Sequence, residues 1–270
     1  MSTESAVPGR EPAPVAGDFL SLLAHRRLSP LRTEVRGAAP VETQATTVLA
    51  FRARDGVLVV GDRRATAGNV IVADGVDKVI DIDSGSVLAI AGVPATAFEM
   101  ARVLQTSFEY FRRSQLQPLS LPAKVRAVAR LLKENLPWTL QGVGVVVPIF
   151  VALDTRTSPP EPRIHFYDPL GAQFLAADHA ASGSGSAVVR SLLAYQSRFG
   201  HPRPAEMTRP EAVRFALRLL VTAAEMDSAT GGVSPESGRV ATARWIGPAG
   251  VEEVGEEEQR AAFAAADGPR

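Results

Sequence analysis

The chain of 270 residues contains no cysteine, and this absence excludes several kinds of chemistry at once. Without thiols there can be no disulfide, no thiolate metal site and no cysteine nucleophile. The 29 basic and 29 acidic side chains balance, so no net charge points to a nucleic-acid or anionic-membrane partner. A composition of 46% hydrophobic and 21% charged residues is ordinary for a globular protein with a substantial core.

Long uncharged apolar stretches are also missing, and none reaches the length that a bilayer-spanning helix needs. The segment from Met1 to Asp18 holds Glu4, Glu11 and several prolines without an apolar centre, so it does not match a secretory signal. We therefore expect a cytoplasmic protein.

The sequence lacks the common catalytic and ligand-binding motifs as well. There is no Gly-x-Ser-x-Gly elbow and no phosphate-binding loop with Gly-Lys-Ser or Gly-Lys-Thr. The histidines show no spacing typical of a metal site; they are His25, His165, His179 and His201. Serine–histidine catalysis and nucleotide hydrolysis therefore lose support, and we expect neither a metal nor an organic cofactor.

The chain divides into three segments by composition. Residues 1–45 are rich in proline and contain one stretch, Asp18–His25, that could form a short amphipathic helix. This segment is interpreted either as a disordered tail or as a leader that docks during assembly and is then removed. Residues 46–254 carry the patterns of a folded domain, and residues 255–270 are expected to form a flexible acidic and alanine-rich tail.

Within the folded domain, strand-like runs alternate with pairs of helical patterns. Asp55-Gly56 between the first two runs is a strong hairpin signal, and a capping box at Thr208–Glu211 marks the start of one helix. The predicted strands are Thr47–Ala53, Val57–Val60, Asn69–Ala73, Lys78–Ile82, Val87–Ala91, Val145–Leu153, Arg163–Tyr167, Arg239–Ile246 and Val251–Val254. The predicted helices are Ala97–Phe111, a second one from Pro122 towards Pro137, Ala187–Phe199 and Thr208–Met226.

This order of strands, two helices, strands, two helices and strands limits the architecture. Each strand has an apolar side to bury, so each helix pair must cover a sheet face. An α+β fold built as a four-layer α-β-β-α sandwich, with two antiparallel sheets between helix pairs, fits the order. A generic α+β domain fits it less specifically.

Two adjacent threonines, Thr46 and Thr47, open the first strand. A threonine hydroxyl is a weak nucleophile and needs an adjacent base. A cut before Thr46 would supply that base as a free α-amine, whose ordinary pKa is about 7.7–8.0. Lys78 on a neighbouring strand could lower that pKa and stabilise the alkoxide, and Asp62 could hold the lysine. Taken alone, Thr46 is better explained as an ordinary residue at a strand start.

Several short motifs make this hypothesis specific. They are Thr46-Thr47-Val48-Leu49-Ala50, Gly61-Asp62-Arg63-Arg64-Ala65-Thr66-Ala67-Gly68-Asn69, Asp77-Lys78-Val79, Ala89-Ile90-Ala91-Gly92, Gly183-Ser184-Gly185-Ser186 and Asp227-Ser228-Ala229-Thr230-Gly231-Gly232. In their order and spacing they resemble the proteasome β subunit, and the bacterial type most of all. The resemblance covers most of residues 46–254 and implies the fold of an N-terminal-nucleophile hydrolase.

The resemblance gives the central positions their roles. Thr46 corresponds to the nucleophile that self-cleavage after Ala45 exposes. Asp62 corresponds to the carboxylate that orients a lysine, and Lys78 to the lysine that tunes the nucleophile. Gly92 corresponds to the glycine whose backbone N–H binds the oxyanion, a role that suits a residue with no side chain to block approach.

Two further sets follow from the same resemblance. A polar cluster supports the threonine amine and a water; it corresponds to Ser184, Asp227 and Thr230. The first specificity pocket has no carboxylate at its base, which implies cleavage after apolar residues. Its lining corresponds to Ala65, Thr66, Val76, Ile80, Ile90, Pro94 and Phe98.

The chain departs from the family's pattern in three places. Glycine usually precedes the nucleophile, but this chain has Ala45, which cannot reach all the backbone conformations that glycine reaches without strain. Val93-Pro94 replaces the small residues usual after the oxyanion glycine and could reshape the pocket wall. The segment Val151–Ser182 also looks longer than in close relatives.

The leading hypothesis is a threonine endopeptidase that matures itself between Ala45 and Thr46 and degrades unfolded proteins. The resemblance implies a seven-membered β ring, a second β ring, α-subunit rings and an ATP-dependent unfoldase as partners. Two other interpretations stay open. One is an unprocessed structural ring subunit, which Ala45 favours. The other is a simpler two-ring ATP-dependent peptidase or another N-terminal-nucleophile hydrolase.

Overall fold

The computed structural model describes residues 46–67, 70–235 and 238–265. The predicted leader over 1–45, with its proposed helix, lies outside these residues, as do Asn69 and residues 266–270. The strands are β1 Thr47–Ala53, β2 Gly56–Gly61, β3 Ala65–Ala67, β4 Val70–Ala73, β5 Val79–Asp83, β6 Ser86–Ala89, β7 Ile149–Asp154, β8 Glu161–Tyr167, β9 Gln173–Ala176, β10 His179–Gly183, β11 Thr242–Gly247 and β12 Gly250–Glu253. The helices are α1 Pro94–Gln115, α2 Leu121–Glu134, α3 Leu136–Thr139, α4 Ser186–Phe199, α5 Arg209–Met226 and α6 Glu256–Ala264. None of these described helices is long and apolar enough to cross a membrane.

The strands form two five-stranded antiparallel sheets and a separate hairpin. The first sheet has the order β10-β1-β2-β11-β12, the second has the order β5-β6-β7-β8-β9, and β3 pairs with β4 alone. The hairpin predicted at Asp55-Gly56 is present, since Ala53 lies opposite Gly56 and Val48 lies opposite Gly61. This register places the start of β1 beside the end of β2, where Asp62 follows.

Successive side chains of β1 point to opposite faces of the first sheet, so each face contributes to a different apolar core. Leu49 and Phe51 pack in an apolar core with α4, α5 and α6, whereas Val48 and Ala50 pack in a second core between the two sheets. A third core, which includes Leu104, joins the second sheet to α1 and α2. These three apolar cores separate four layers, so the predicted α-β-β-α sandwich is confirmed.

The sequence predicted the start of α5 and the extent of α2 correctly. The Glu211 side chain accepts the Thr208 backbone N–H at 2.7 Å, which completes the predicted capping box at the start of α5. The second helix, α2, begins after Ser120 and ends at Glu134. Its end lies before Pro137, because a proline inside a helix loses a backbone hydrogen bond and clashes with the preceding turn.

Three short strands, β3, β9 and β10, do not stand out in the sequence. β10 pairs with β1, where Thr47 lies opposite Gly183 and Phe51 lies opposite His179. The run His179–Gly183 consists largely of small residues with little strand propensity. Pairing with the buried strand β1 outweighs that weak local preference.

The prediction of a flexible tail over 255–270 is wrong for the part that the structure describes. Residues Glu256–Ala264 form α6, and Ala262 packs in the core beneath the first sheet. The buried Gln259 side chain accepts the Ala241 N–H at 2.9 Å and donates to the Ala241 and Val254 carbonyls at 3.0 and 2.8 Å. Arg209 binds Glu258 through two hydrogen bonds of 2.7 and 2.9 Å. The acidic run is therefore the polar face of a docked helix.

Candidate active site

Thr46 directly precedes β1 and is 4% exposed. Its carbonyl accepts the Ser184 N–H at 3.0 Å, which ties it to the segment between β10 and α4. Since side chains alternate along a strand, Thr46 belongs to the face of Val48, between the sheets, and Thr47 belongs to the face of Leu49, towards the helices. Ala45, the other side of the predicted cleavage site, lies outside the described residues.

Asp62 is fully buried, and both of its oxygens accept two hydrogen bonds. Oδ1 accepts the Thr47 N–H at 2.7 Å and the Lys78 ammonium at 2.8 Å. Oδ2 accepts the backbone N–H groups of Arg64 at 3.0 Å and Gly231 at 2.8 Å. One carboxylate thus joins the strand that carries Thr46, the predicted lysine and the loop after α5.

Lys78 is 2% exposed and donates to the Arg64 carbonyl in addition to Asp62. Burial lowers the pKa of Lys78 from its usual 10.5, and the nearby Asp62 carboxylate opposes part of that shift. The ammonium therefore gives up its proton more readily than an exposed lysine does. This property suits a group that tunes a neighbouring nucleophile.

A second polar cluster forms around Asp227, at the end of α5. Its Oδ2 accepts the Ser184 hydroxyl at 2.6 Å and the Thr230 hydroxyl at 2.5 Å. Its Oδ1 accepts the Ala229 N–H at 3.1 Å, which closes the loop around the carboxylate. The structure thus brings together the three residues that the sequence assigned to this cluster.

Gly92 lies between β6 and α1 with a φ angle of 114°, in the left-handed region that favours glycine. A Cβ atom at this position would lie 2.1 Å from the Val145 carbonyl oxygen, so a side chain cannot fit. Two residues earlier, the Ile90 N–H donates to the Lys78 carbonyl at 2.9 Å. Gly92 therefore follows a segment that is bonded directly to the Lys78 backbone.

The residues predicted to line the substrate pocket occupy different depths. Ile90 is only 4% exposed, and Ile80 and Phe98 pack beside it in the core under α1 and α2. Pro94, the first residue of α1, is exposed. The other three are half-buried: Ala65, Thr66 and Val76. Their role in binding a substrate stays a prediction.

The structure adds residues that the sequence analysis did not place in the site. Arg64 binds Asp74 at 3.0 Å and donates to the Ser228 and Thr230 carbonyls at 3.3 and 3.4 Å. Arg63 binds Asp77 at 2.9 Å, directly before Lys78. The arginine pair therefore holds the segment that leads into Lys78, and its position directly after Asp62 was the available signal.

Gly231 and Thr47 are also new to the site. A Cβ on Gly231 would lie 2.8 Å from the Arg64 Cβ and 3.0 Å from Asp62 Oδ2. This close approach explains the glycine beside the buried carboxylate. The Thr47 hydroxyl lies 2.6 Å from the Thr230 hydroxyl and accepts the Gly185 N–H at 3.0 Å. A lone threonine at a strand start carries no sequence signal for such a role.

Comparison with known proteins supplies the family. The family model described as "Proteasome subunit" matches residues 42–234. The chain is 35% identical over 247 residues to a proteasome subunit beta of Stackebrandtia nassauensis, covering 86% of this chain and 84% of the relative. It is 37% identical over 226 residues to proteasome subunit beta 1 of Streptomyces avermitilis, covering 81% and 77%. It is also 36% identical over 218 residues to a proteasome subunit beta of Acidothermus cellulolyticus, covering 80% and 73%. By the extent of these matches, the chain belongs to the proteasome subunit family.

Proposed function

We propose that the chain is a β subunit of a bacterial proteasome core and acts there as a threonine endopeptidase with Thr46 as its nucleophile. The supporting relatives are bacterial proteins named proteasome subunit beta. The single observation that carries the assignment of the nucleophile is the position of Asp62. Its Oδ1 holds both the Lys78 ammonium and the backbone of the residue that follows Thr46.

The proposed chemistry begins with maturation. The Thr46 hydroxyl attacks the Ala45 carbonyl carbon, the peptide nitrogen leaves as the Thr46 amine, and the resulting ester is hydrolysed by water. In the mature subunit, that amine takes the hydroxyl proton as Thr46 attacks a substrate carbonyl. The Gly92 N–H binds the oxyanion, the substrate's amine product departs, and water hydrolyses the acyl-threonine ester.

Lys78 supports this sequence electrostatically. Its positive charge favours the alkoxide of Thr46 and lowers the pKa of the amine. Ser184, Asp227 and Thr230 hold the amine and the water that ends the cycle. Apolar side chains at the predicted pocket positions favour substrates with an apolar residue before the scissile bond.

The proposal includes an assembly. β subunits form seven-membered rings that stack in pairs, α-subunit rings cap them, and an ATP-dependent unfoldase in the cytoplasm delivers unfolded polypeptides. Enclosure of the active sites in such a chamber restricts cleavage to unfolded chains. No metal or organic cofactor takes part in the proposed reaction.

A catalytically silent ring subunit is the second candidate, and Ala45 is the observation that favours it. Alanine before Thr46 restricts the strained backbone that self-cleavage needs. A subunit that keeps residues 1–45 would have no free amine at Thr46 and would contribute only to the ring.

Intact-mass analysis of the purified assembly separates the two candidates. We expect the wild-type chain to lose residues 1–45 and to cleave a fluorogenic peptide with an apolar residue before the reporter. Thr46→Ala should abolish both events, and Thr46→Ser should retain part of the activity because it keeps a hydroxyl. Thr222→Ala on α5, which removes a different threonine hydroxyl, is the matched control and should behave as wild type. A full-length wild-type chain in the mature assembly would support the silent subunit instead.

A further inference from the structure

Thr47, next to the proposed nucleophile, forms hydrogen bonds through its N–H, its carbonyl and its hydroxyl. Its N–H donates to Asp62 Oδ1 at 2.7 Å, and its carbonyl accepts the Asp62 N–H at 3.1 Å. Its hydroxyl, which is fully buried, contacts Thr230 and Gly185 on the helix side of the sheet. Thr47 is therefore bonded to both polar clusters of the site, on the two sides of β1.

The directions of the hydroxyl bonds follow from counting protons. Asp227, as a carboxylate, has only acceptor sites, so Thr230 must give its single hydroxyl proton to Asp227 Oδ2 at 2.5 Å. The Thr230 oxygen can then only accept from Thr47, at 2.6 Å. Thr47 in turn accepts the Gly185 N–H at 3.0 Å. The chain runs in one direction, from Gly185 through Thr47 and Thr230 to Asp227.

This one-way chain connects separate parts of the fold. Gly185 is the residue before α4, Thr47 lies on β1, and Thr230 lies in the loop after α5. The same loop supplies Gly231, whose N–H binds Asp62. A shift of Thr47 would therefore move the strand that carries Thr46 relative to both carboxylates.

We infer that Thr47 is a positioning residue: its hydroxyl fixes Thr46 relative to the Asp227 cluster and so sets the geometry of attack. This inference rests on the proposed function, since it needs Thr46 to be the nucleophile. Valine has nearly the same shape as threonine but neither donates nor accepts. Serine keeps the hydroxyl and loses only a methyl group. The two substitutions therefore separate the hydrogen bonds from the volume.

The test compares Thr47→Val, Thr47→Ser and wild type in the purified assembly with the fluorogenic peptide. We expect Thr47→Val to lower kcat by about tenfold to a hundredfold, since effects of one or two lost aligned bonds fall in this range. KM should change less than about twofold, because the hydroxyl faces away from the predicted substrate pocket. Thr47→Ser should recover kcat to within about threefold of wild type. Loss of residues 1–45 should be slowed in the same order.

The control is Ser86→Ala, which removes another fully buried hydroxyl bonded to a carboxylate, Asp83, at the far end of β5 from Lys78. It should leave kcat unchanged. If Thr47→Val and wild type have equal kcat, or if Thr47→Ser falls as far as Thr47→Val, the inference is wrong. If Thr47→Val does not assemble, Thr47→Ala replaces it, with the same expected loss of kcat and the same rescue by serine. Cleavage that survives in Thr46→Ala would overturn the proposed function itself, which is a different outcome.

Discussion

Two buried lysines in this fold, Lys78 and Lys124, each bind an aspartate, and the two pairs can be compared. Lys78 and Lys124 are 2% and 5% exposed, and their ammonium groups lie 2.8 Å from Asp62 and 2.6 Å from Asp83. Asp83 is surrounded by neighbours in its own hairpin: its Oδ1 accepts the Gly85 N–H at 3.0 Å and the Ser86 hydroxyl at 2.6 Å. This pair fastens the β5–β6 hairpin to α2.

The Asp62 pair has the same chemical composition but different surroundings. Asp62 collects backbone N–H groups from Thr47, Arg64 and Gly231, which are far apart in the chain. Its carboxylate is fully enclosed, whereas the Asp83 side chain is 22% exposed. A buried ion pair by itself is therefore weak support for catalysis. What distinguishes the Asp62 pair is that distant segments of the chain, including the one after Thr46, are bonded to its carboxylate.

The largest expected difference between the pairs is in peptide cleavage. Lys78→Met should lower kcat/KM by about a hundredfold to a thousandfold and block removal of residues 1–45, since one preorganised electrostatic group beside a developing charge contributes about 10²–10³. Lys124→Met should leave kcat per folded subunit within about threefold of wild type. Active-site titration of each purified assembly, followed by kinetics, measures this. Equal losses in both variants would show that the two pairs act only through the fold.

A smaller difference between the two pairs is expected in the free energy of unfolding when each aspartate is replaced by asparagine. Asp62→Asn leaves the Lys78 ammonium buried beside a neutral amide, which should lower the free energy of unfolding by about 3–5 kcal/mol. Asp83→Asn breaks a pair that water partly reaches, and we expect a loss of about 1–2 kcal/mol. Denaturant unfolding of the two variants at pH 7 tests the order. A larger loss for Asp83→Asn would reverse the comparison.

The smallest expected effect is a pH dependence. The pKa of Lys78 is lower in the folded protein than 10.5, so between the two pKa values the unfolded chain binds more protons. Below the pKa that Lys78 has in the folded protein, burial of its ammonium destabilises the folded state by the full amount. This destabilisation disappears as the pH rises towards 10.5, the pKa of the unfolded chain. The free energy of unfolding should therefore gain a contribution that rises with pH, at most about 1.4 kcal/mol per unit. Lys78→Met should remove this rise and Lys124→Met should keep it, in unfolding curves measured from pH 7 to 10.

Local patterns in the sequence predict much of the fold. The Asp55-Gly56 turn, the capping box at Thr208 and the helical periodicity of α1, α4 and α5 are interactions between near neighbours, so they are visible in the chain itself. The predictions fail where distant contacts decide. β10 is a strand because β1 pairs with it. The acidic run after Gly255 is held against the fold because the Gln259 side chain bonds to the backbone of Ala241.

The residues of the candidate site could likewise be predicted only in part from the sequence. The family resemblance, which rests on the order and spacing of the motifs, indicated Thr46, Asp62, Lys78 and Gly92 as a set. It did not indicate that Arg64 holds the segment before Lys78, nor that Thr47 bonds to both clusters. The bonds from the Thr47 hydroxyl to Gly185 and Thr230 span 138 and 183 residues, and no spacing rule encodes them.

The sequence by itself determined which residues are available for chemistry: the threonine pair Thr46-Thr47, Asp62, Lys78 and Gly92, with no thiol to compete. Only the tertiary structure decided how they meet. The antiparallel register places the start of β1 beside the end of β2, and the loop after α5 closes over the same carboxylate. Burial then lowers the pKa of Lys78, because a charge taken out of water is costly unless partners surround it. That enclosure depends on the packing of the four layers, which no local segment specifies.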